Sequence, residues 1–226
     1  MSKIYAMSDI HGFLMEFEEA LSLVDLSGDN KLILLGDYIH GGPDPFGVLK
    51  RIMQLERKYG TEKVIVLAGN HEDMAVEGFW PILSDENGED YDATDTDNDD
   101  PYLLWMENLR KYYADDKRIF CHAGVNEEAE DMWESSTDDY TYTGKYPAQT
   151  GHFCMDIIAG HVGTEELADD HRFHDIYFDG ESHYYIDGTV LHSGVIPVLM
   201  VDTEKNEYYQ VGESGAWLIL PYEEIE

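Results

Sequence analysis

The chain has 226 residues, of which 43% are hydrophobic, so it can bury a sizeable core, and disorder of the whole chain is not expected. Its 14 basic and 48 acidic residues give a formal net charge of -34, which argues against nucleic acids and anionic membranes as partners because both need a basic surface. The first residues enter a strand pattern without a leader, and no apolar run reaches about 18 residues, so we expect a cytoplasmic protein.

Apolar runs alternate with helical patterns in the first half of the chain. Residues 3–9 (KIYAMSD) are typical of a strand, and the spacing of apolar residues predicts a helix over 13–24. A strand at 31–35, a helix at 46–59 and a strand at 63–70 (KVIVLAGN) follow. This β-α-β-α-β order implies parallel strands joined by right-handed crossovers.

Further strands are predicted in the second half, at 118–124 (RIFCHAG) and 156–161 (DIIAGH). Four later runs follow with little helix between them: HYYIDG, VIPVLMVD, YYQV and AWLIL. Their close spacing favours antiparallel strands.

Two compositional features carry no clear chemistry. Cys121 and Cys154 could pair, but buried thiols are the better interpretation in an intracellular chain of this size. The acidic segment at about 84–100 predicts a solvated loop or mobile insertion within one domain spanning 1–226. Three aspartates match the first ligand positions of an EF-hand calcium loop: Asp95, Asp97 and Asp99. The positions that need glycine and glutamate carry aspartate and methionine, so structured calcium binding is disfavoured.

Polar residues suited to metal binding follow five of the predicted strands, each close to a glycine. They are Asp9 and His11, then Asp37, then Asn70 and His71, then His122, then His161. Because side chains at the carboxyl ends of strands converge on one crevice in open α/β sheets, we expect these residues to share a site. A lone histidine is more often structural, but five such junctions favour a common function. Oxygen and imidazole ligands without thiolate suit manganese, iron or zinc.

The ordered motifs DIHG, GDY, GNHE, CHAG and GH resemble the calcineurin-like metallophosphoesterases. Within them the chain resembles the serine/threonine protein phosphatase family, especially its small bacterial and bacteriophage members. The resemblance spans roughly residues 4–202. It implies an α/β fold, a four-layer α/β/β/α sandwich with two mixed β-sheets, which agrees with the alternating first half of the chain.

The resemblance also implies a role for each candidate residue in a centre with two divalent or trivalent transition-metal ions. Manganese is the favoured metal, with iron or zinc as alternatives. Asp9 and His11 match ligands of one metal, Asp37 matches the carboxylate that bridges both, and the second metal takes Asn70, His122 and His161. Asn70 is also a candidate for substrate binding. His71 matches the general acid.

Elementary electrostatics agrees with such a centre. Two adjacent cations repel each other, so a shared anion such as Asp37 is needed between them. A phosphate bound directly to metal feels a close and poorly screened attraction, which the net charge of -34 need not prevent. A hydroxide bridging the metals would be the nucleophile, and His71 would protonate the leaving oxygen.

The segment GDYIHGGP departs from the family pattern GDxxDRG. His40 and Gly41 stand where the family has an aspartate that supports the acid histidine and an arginine that grips phosphate. An aspartate would raise the pKa of His71, whereas a histidine cannot, so we expect weaker acid assistance. His40 is either a turn residue with its ring in solvent or a residue with a different role.

A second phosphate-binding arginine also has no counterpart, because the local sequence at 132–135 is MWES. Arg172, Arg118 and Lys145 are substitutes from elsewhere in the chain, although none occupies a matching position. Four histidines in or near the late strands have no matching ligand role and are interpreted as structural: His171, His174, His183 and His192.

Three hypotheses for function follow. The first is a metal-dependent phosphatase acting on phosphorylated protein or small phosphomonoesters. The second is a dinucleoside polyphosphate hydrolase, against which the missing arginines and the acidic surface count somewhat. The third is a metal-binding but weakly catalytic regulatory module, which the intact ligand set disfavours. The oligomeric state stays open.

Overall fold

The structure is a computed structural model that describes residues 2–84 and 100–223. Its strands are β1 (Lys3–Met7), β2 (Lys31–Leu34), β3 (Val64–Val66), β4 (Tyr112–Ala114), β5 (Arg118–Cys121), β6 (Asp156–Gly163), β7 (Tyr177–Phe178), β8 (His183–Asp187), β9 (Val198–Asp202), β10 (Glu207–Gly212) and β11 (Gly215–Leu218). Its helices are α1 (Leu14–Ser22), α2 (Pro45–Tyr59), α3 (Asn70–Val76), α4 (Asp100–Glu107), α5 (Trp133–Ser136), α6 (Asp139–Gly144), α7 (Thr164–Leu167) and α8 (Val190–Ser193), with a 3-10 helix at Glu127–Met132.

The strands form two mixed sheets. The first has the order β11-β10-β9-β1-β2-β3, in which β1, β2 and β3 are parallel and β9, β10 and β11 are antiparallel. The second has the order β4-β5-β6-β8-β7, in which β5, β6 and β8 are parallel and both edge strands are antiparallel. The prediction of two mixed sheets is therefore confirmed.

Successive side chains of a strand point to opposite faces of its sheet, and this alternation separates the layers of the fold. In β1, Tyr5 and Met7 face a cluster shared with helices α1 and α2, whereas Ile4 and Ala6 face the second sheet. The inter-sheet cluster takes Phe120 from β5 and further apolar side chains from β6 and β8. Tyr142 of α6 belongs to a third cluster on the outer face of the second sheet. Helices thus cover both outer faces, which gives the predicted α/β/β/α sandwich.

The sequence at the two ends of helix α2 explains where this helix begins and ends. The Asp44 side chain accepts a hydrogen bond from Gly47 N at 2.8 Å, and Pro45 occupies the first helical position, where its missing N–H has no cost. Gly60 ends the helix with a φ of 85°, which glycine adopts without a side-chain clash. The predicted apolar stripe is buried: Val48, Leu49, Ile52 and Leu55.

Three expectations need correction or fall outside the described residues. The run HYYIDG pairs in parallel with β6, so the prediction of antiparallel pairing holds only for its pairing with β7 and for the three last strands. Both cysteines are free, but Cys154 is exposed and only Cys121 is buried. The aspartates considered for calcium lie outside the described residues.

Within the described parts of the chain, every helix is too short or too polar to cross a membrane.

Candidate metal centre

The two sheets meet at the carboxyl ends of their parallel strands. His161 N, at the end of β6, donates to Asp9 Oδ2 at 3.1 Å, just after β1. His122 Nδ1, just after β5, lies 3.0 Å from Leu35 O, just after β2. These two contacts tie the first sheet to the second, and they bring the candidate residues from both sheets to one crevice.

The backbone is strained at this edge. Four candidate residues have the positive φ angles that residues other than glycine rarely adopt: Asp9 (54°), His11 (47°), Asp37 (57°) and His161 (66°). Asp9, His11 and Asp37 follow strands β1 and β2 within a few residues, and His161 lies near the end of β6, where the pairing with β8 is irregular. Such strain persists only where the surrounding structure over-determines it, and it concentrates at functional sites.

One pocket is lined by Asp37, Asn70, His122 and His161. Asn70 Oδ1 lies 3.0 Å from both His122 Nε2 and His161 Nδ1, and 3.3 Å from Asp37 Oδ2. Asp37 Oδ2 lies 3.2 Å from His122 Nε2. Turning the Asn70 amide over would point its NH₂ group at these acceptors, whereas a cation among them would be coordinated by the oxygen as it stands. Amide oxygen, carboxylate and imidazole at one point are the donor set of a transition metal.

The charge balance of this pocket also calls for a cation. Burial lowers the pKa of His122, but Asp37 and Asp9 outweigh burial and raise it to about 10. Burial lowers the pKa of His161 to about 4, with the nearby His122 adding to the effect. Burial would raise the pKa of Asp37, yet the imidazoles of His122 and His71 hold it well below its usual range. Without metal the pocket therefore keeps a proton on His122, and a metal ion would displace that proton.

A second pocket shares Asp37. His11 Nδ1 lies 3.2 Å from Ile39 O, which fixes the N–H on that side and turns Nε2 inward. Nε2 of His11 is 3.9 Å from Asp9 Oδ1 and 3.8 Å from Asp37 Oδ2. Nε2 of His71 is also 3.8 Å from Asp37 Oδ2. These separations are too long for hydrogen bonds. His11, Asp37 and His71 lie close enough together to hold a second cation, with Asp37 between the two pockets and Asp9 beside His11.

Glycines and a buried glutamate shape both pockets. A Cβ on Gly69 would stand 2.1 Å from Asp37 Oδ1, and one on Gly160 would stand 2.1 Å from Asp9 Oδ2. The Glu72 carboxylate accepts from the backbone N of Asp37 at 2.7 Å and of Gly69 at 2.9 Å. Glu72 belongs to the GNHE motif, from which no role was predicted for it, and in the structure its carboxylate holds the Asp37 turn in place.

Asp187 is a further buried carboxylate near this centre, and it is not among the candidates predicted from the sequence. It ends β8, is buried, and accepts from Thr189 N at 2.7 Å. Burial and the nearby Asp9 carboxylate raise its pKa to about 8. The signal was present in HYYIDG, because Asp187 precedes a glycine at a strand end like the other candidates.

His71 contacts the residue that replaces the family's aspartate. His71 Nδ1 lies 2.8 Å from His40 Nδ1, and the His40 ring is fully buried. The alternative of a His40 ring in solvent is therefore wrong, because the ring packs against both His71 and Trp80. Burial lowers the pKa of His71 to about 4, against the opposing attraction of Asp37.

The three cationic side chains considered as phosphate clamps have other partners. Arg118 is buried and binds Asp115 at 2.7 Å and Tyr208 at 3.0 Å. Arg172 is exposed and pairs with Asp170. Lys145 binds Val125 O at 2.7 Å together with Glu127 and Gln149 at 2.8 Å. Each is thus committed to a structural contact.

Known proteins resemble this chain in sequence or in fold. A curated relative from Nitrosospira multiformis, named a symmetrical bis(5'-nucleosyl)-tetraphosphatase, is 32% identical over 127 residues, covering 54% of this chain and 43% of that protein. A cold-active protein tyrosine phosphatase from a Shewanella species superposes with a TM-score of 0.64 at 15% identity, covering 96% of this chain and 80% of that chain. A protein serine/threonine phosphatase from Saccharomyces cerevisiae superposes with a TM-score of 0.60 at 12% identity, covering 100% of this chain and 81% of that chain. At such identities the structures show the fold alone.

The chain spans less than half the length of the curated relatives it matches. The family profile, in contrast, covers most of it. The profile of the calcineurin-like phosphoesterases matches residues 2–191. The match includes the His and Asp groups of the two pockets that share Asp37, strands β1 to β3 of the first sheet and the whole of the second sheet. This chain therefore belongs to the calcineurin-like phosphoesterase family.

Proposed function

We propose that this protein is a two-metal phosphoester hydrolase. The observation that carries the proposal is the convergence of four acceptor atoms from Asp37, Asn70, His122 and His161, which a cation would satisfy. Asp9 and His11 would hold a second ion, and Asp37 would contact both. Two cations would supply charge stabilisation to the phosphoryl group and activation of a water molecule.

The residues of the chain have distinct tasks in this reaction. Asp37 holds the two pockets in register, because its Oδ1 accepts from His71 N at 3.0 Å while Oδ2 faces both pockets. Trp80 packs edge-on against the His71 ring, with the ring centroids 5.7 Å apart. His71 Nε2 faces the centre, where it would deliver a proton to the leaving oxygen.

For the substrate, we propose a phosphoanhydride such as a dinucleoside polyphosphate rather than a phosphomonoester. The curated relatives that carry the name symmetrical bis(5'-nucleosyl)-tetraphosphatase support this choice. The chemistry of His71 supports it independently. A histidine whose pKa is lowered to about 4 is a scarce acid at neutral pH, and a nucleotide phosphate leaves without the full protonation that an alkoxide needs.

The test is turnover of diadenosine tetraphosphate and of p-nitrophenyl phosphate by manganese-loaded protein, with products separated by ion exchange. We expect faster cleavage of the tetraphosphate, and symmetrical cleavage would yield two molecules of ADP. Faster turnover of the phosphomonoester would favour the phosphatase hypothesis. No turnover of either compound would contradict hydrolysis and favour a regulatory metal-binding module. The Asp37→Asn variant, loaded in parallel, controls for contaminating hydrolases.

A further inference from the structure

We infer that His40 is a positioning residue that orients His71 and determines which of its ring nitrogens carries the hydrogen. The two imidazoles join through their Nδ1 atoms at 2.8 Å, and His40 Nε2 lies 2.8 Å from Pro81 O. The inference rests on the proposed function only where it takes His71 to be the acid of the reaction.

The direction of each hydrogen bond follows from the Pro81 carbonyl, the last partner in the series His71–His40–Pro81. A carbonyl oxygen only accepts, so the His40 hydrogen is on Nε2, facing Pro81. A neutral His40 ring then has a lone pair on Nδ1, and His71 must donate its own Nδ1 hydrogen to it. The remaining nitrogen of His71, Nε2, then carries a lone pair toward the metal centre, so it delivers a proton only after His71 has taken one up and become an imidazolium.

The surroundings keep this arrangement rigid. His40 has a φ of 66°, a strained angle for a histidine, and its ring is fully buried. Trp80 packs edge-on against His40 at 5.5 Å. Ser84 holds the Pro81 carbonyl through its hydroxyl at 2.9 Å, and Ser84 O accepts from Gly41 N at 3.1 Å. The loop carrying Pro81 and the loop carrying His40 are thus bonded to each other.

Burial favours the neutral form of the His40 ring. It lowers the pKa of His40 to about 4, and the adjacent His71 adds to the effect. A neutral acceptor at this position orients the His71 ring as a carboxylate would, but it contributes no negative charge. His40 therefore replaces the geometric part of the aspartate's task and leaves out the electrostatic part.

Two polar variants of similar size separate the two hydrogen bonds. In His40→Asn, the amide oxygen can occupy the place of Nδ1 and accept from His71. In His40→Gln, the amide nitrogen can occupy the place of Nε2 and bind Pro81, but no acceptor faces His71. We expect His40→Gln to lower kcat by about 10-fold, the loss of one orienting hydrogen bond, while His40→Asn stays within about 3-fold of the parent. Metal content should be unchanged in both.

A second readout does not need activity. Nitrogen-15 imidazole spectra of the zinc-loaded protein report which ring nitrogen carries hydrogen. We expect hydrogen on Nδ1 of His71 and on Nε2 of His40 in the parent, and loss of the fixed tautomer of His71 in His40→Gln but not in His40→Asn. Hydrogen on Nε2 of a neutral His71, hydrogen on both nitrogens of His40, or equal behaviour of the two variants would overturn the inference.

The two readouts keep this inference separate from the proposed function. If the parent hydrolyses no phosphoester while the spectra show the expected tautomers, the proposed function fails and the role of His40 in orienting His71 stands. If the parent is active while the tautomers differ from those expected, the inference fails and the proposed function stands.

Discussion

Two buried clusters of imidazoles and carboxylates can be compared directly. The metal cluster consists of Asp37, Asn70, His122 and His161. The second, called here the Glu127 cluster, consists of Glu127, Lys145, Asp179 and His183. Both combine histidine and acidic side chains, and both join distant parts of the chain.

In the Glu127 cluster every donor meets an acceptor. His183 Nδ1 lies 2.9 Å from Asp179 Oδ2 and its Nε2 lies 3.1 Å from Glu127 Oε2. Lys145 Nζ adds a second cation at 2.8 Å from Glu127 Oε1. Burial opposes the charged form of His183, but the two carboxylates raise its pKa above the usual value. The cluster is balanced in charge and in hydrogen bonds, so it needs no ligand.

In the metal cluster acceptors outnumber donors. Asn70 Oδ1 faces Asp37 Oδ2, His122 Nε2 and His161 Nδ1, and all four atoms offer lone pairs once the proton on His122 is removed. The comparison teaches that residue type alone does not distinguish a structural cluster from a metal site. The balance of donors against acceptors does so.

The largest effect is expected from breaking the shared ligand of the metal cluster. Asp37→Asn should reduce turnover by more than about 100-fold, since loss of even an outer partner of a metal ligand costs roughly 10–100-fold. The measurement is the initial rate with manganese, together with metal content by mass spectrometry. Unchanged turnover in a folded variant would rule out the bridging role.

Removing the acid should separate chemistry from metal binding. His71→Asn should lower kcat by about 10²–10⁴-fold, the usual range for a general acid, with metal content unchanged. The reduction should grow as the leaving group becomes more basic across a series of aryl phosphates. An equal reduction for every leaving group would argue that His71 does not donate the proton.

Breaking the Glu127 cluster should instead affect stability. His183→Gln should lower the free energy of unfolding by about 3 kcal/mol, because it leaves buried carboxylates without their partner. The raised pKa of His183 makes its contribution full below about pH 6.5 and lost as the pH rises through the folded pKa. Urea unfolding at about pH 6 and about pH 9 should therefore show the larger loss at the lower pH.

The control for His183→Gln is metal content, which should equal that of the parent. A variant that loses metal, or one that is destabilised equally at both pH values, would contradict the distinction between the two clusters.

The smallest expected effect is the release of protons from the protein when metal binds. Because Asp37 and Asp9 raise the pKa of His122 to about 10, the metal-free protein holds a proton there at neutral pH, and metal binding should expel it. Calorimetric titrations in buffers with different ionisation enthalpies measure this number directly, and about one proton per chain is expected from His122. Loading without proton release would contradict the charge balance inferred for the pocket.

Local periodicity was enough to predict the order from β1 to β3, because each element there buries one face at regular spacing. The parallel pairing of β8 with β6 could not be predicted, since it depends on contacts between segments separated by an irregular connection. Strand length was also overestimated at 63–70, where the strand ends at Val66 and Asn70 already begins a helix.

The candidate site could likewise be predicted from the sequence only in part. The strand-to-glycine pattern predicted which residues would lie together, because strand direction determines where their ends meet. The burial of His40 was not predictable, because it depends on Pro81, which lies 41 positions further along the chain. The roles of the individual ligands stay predictions until a metal is observed.

Anomalous diffraction from crystals of the manganese-loaded protein tests the central claim most directly. We predict two peaks per chain, one contacting Asn70, His122 and His161, the other contacting Asp9 and His11, with Asp37 touching both. A single peak, or two peaks that do not share Asp37, would contradict the account.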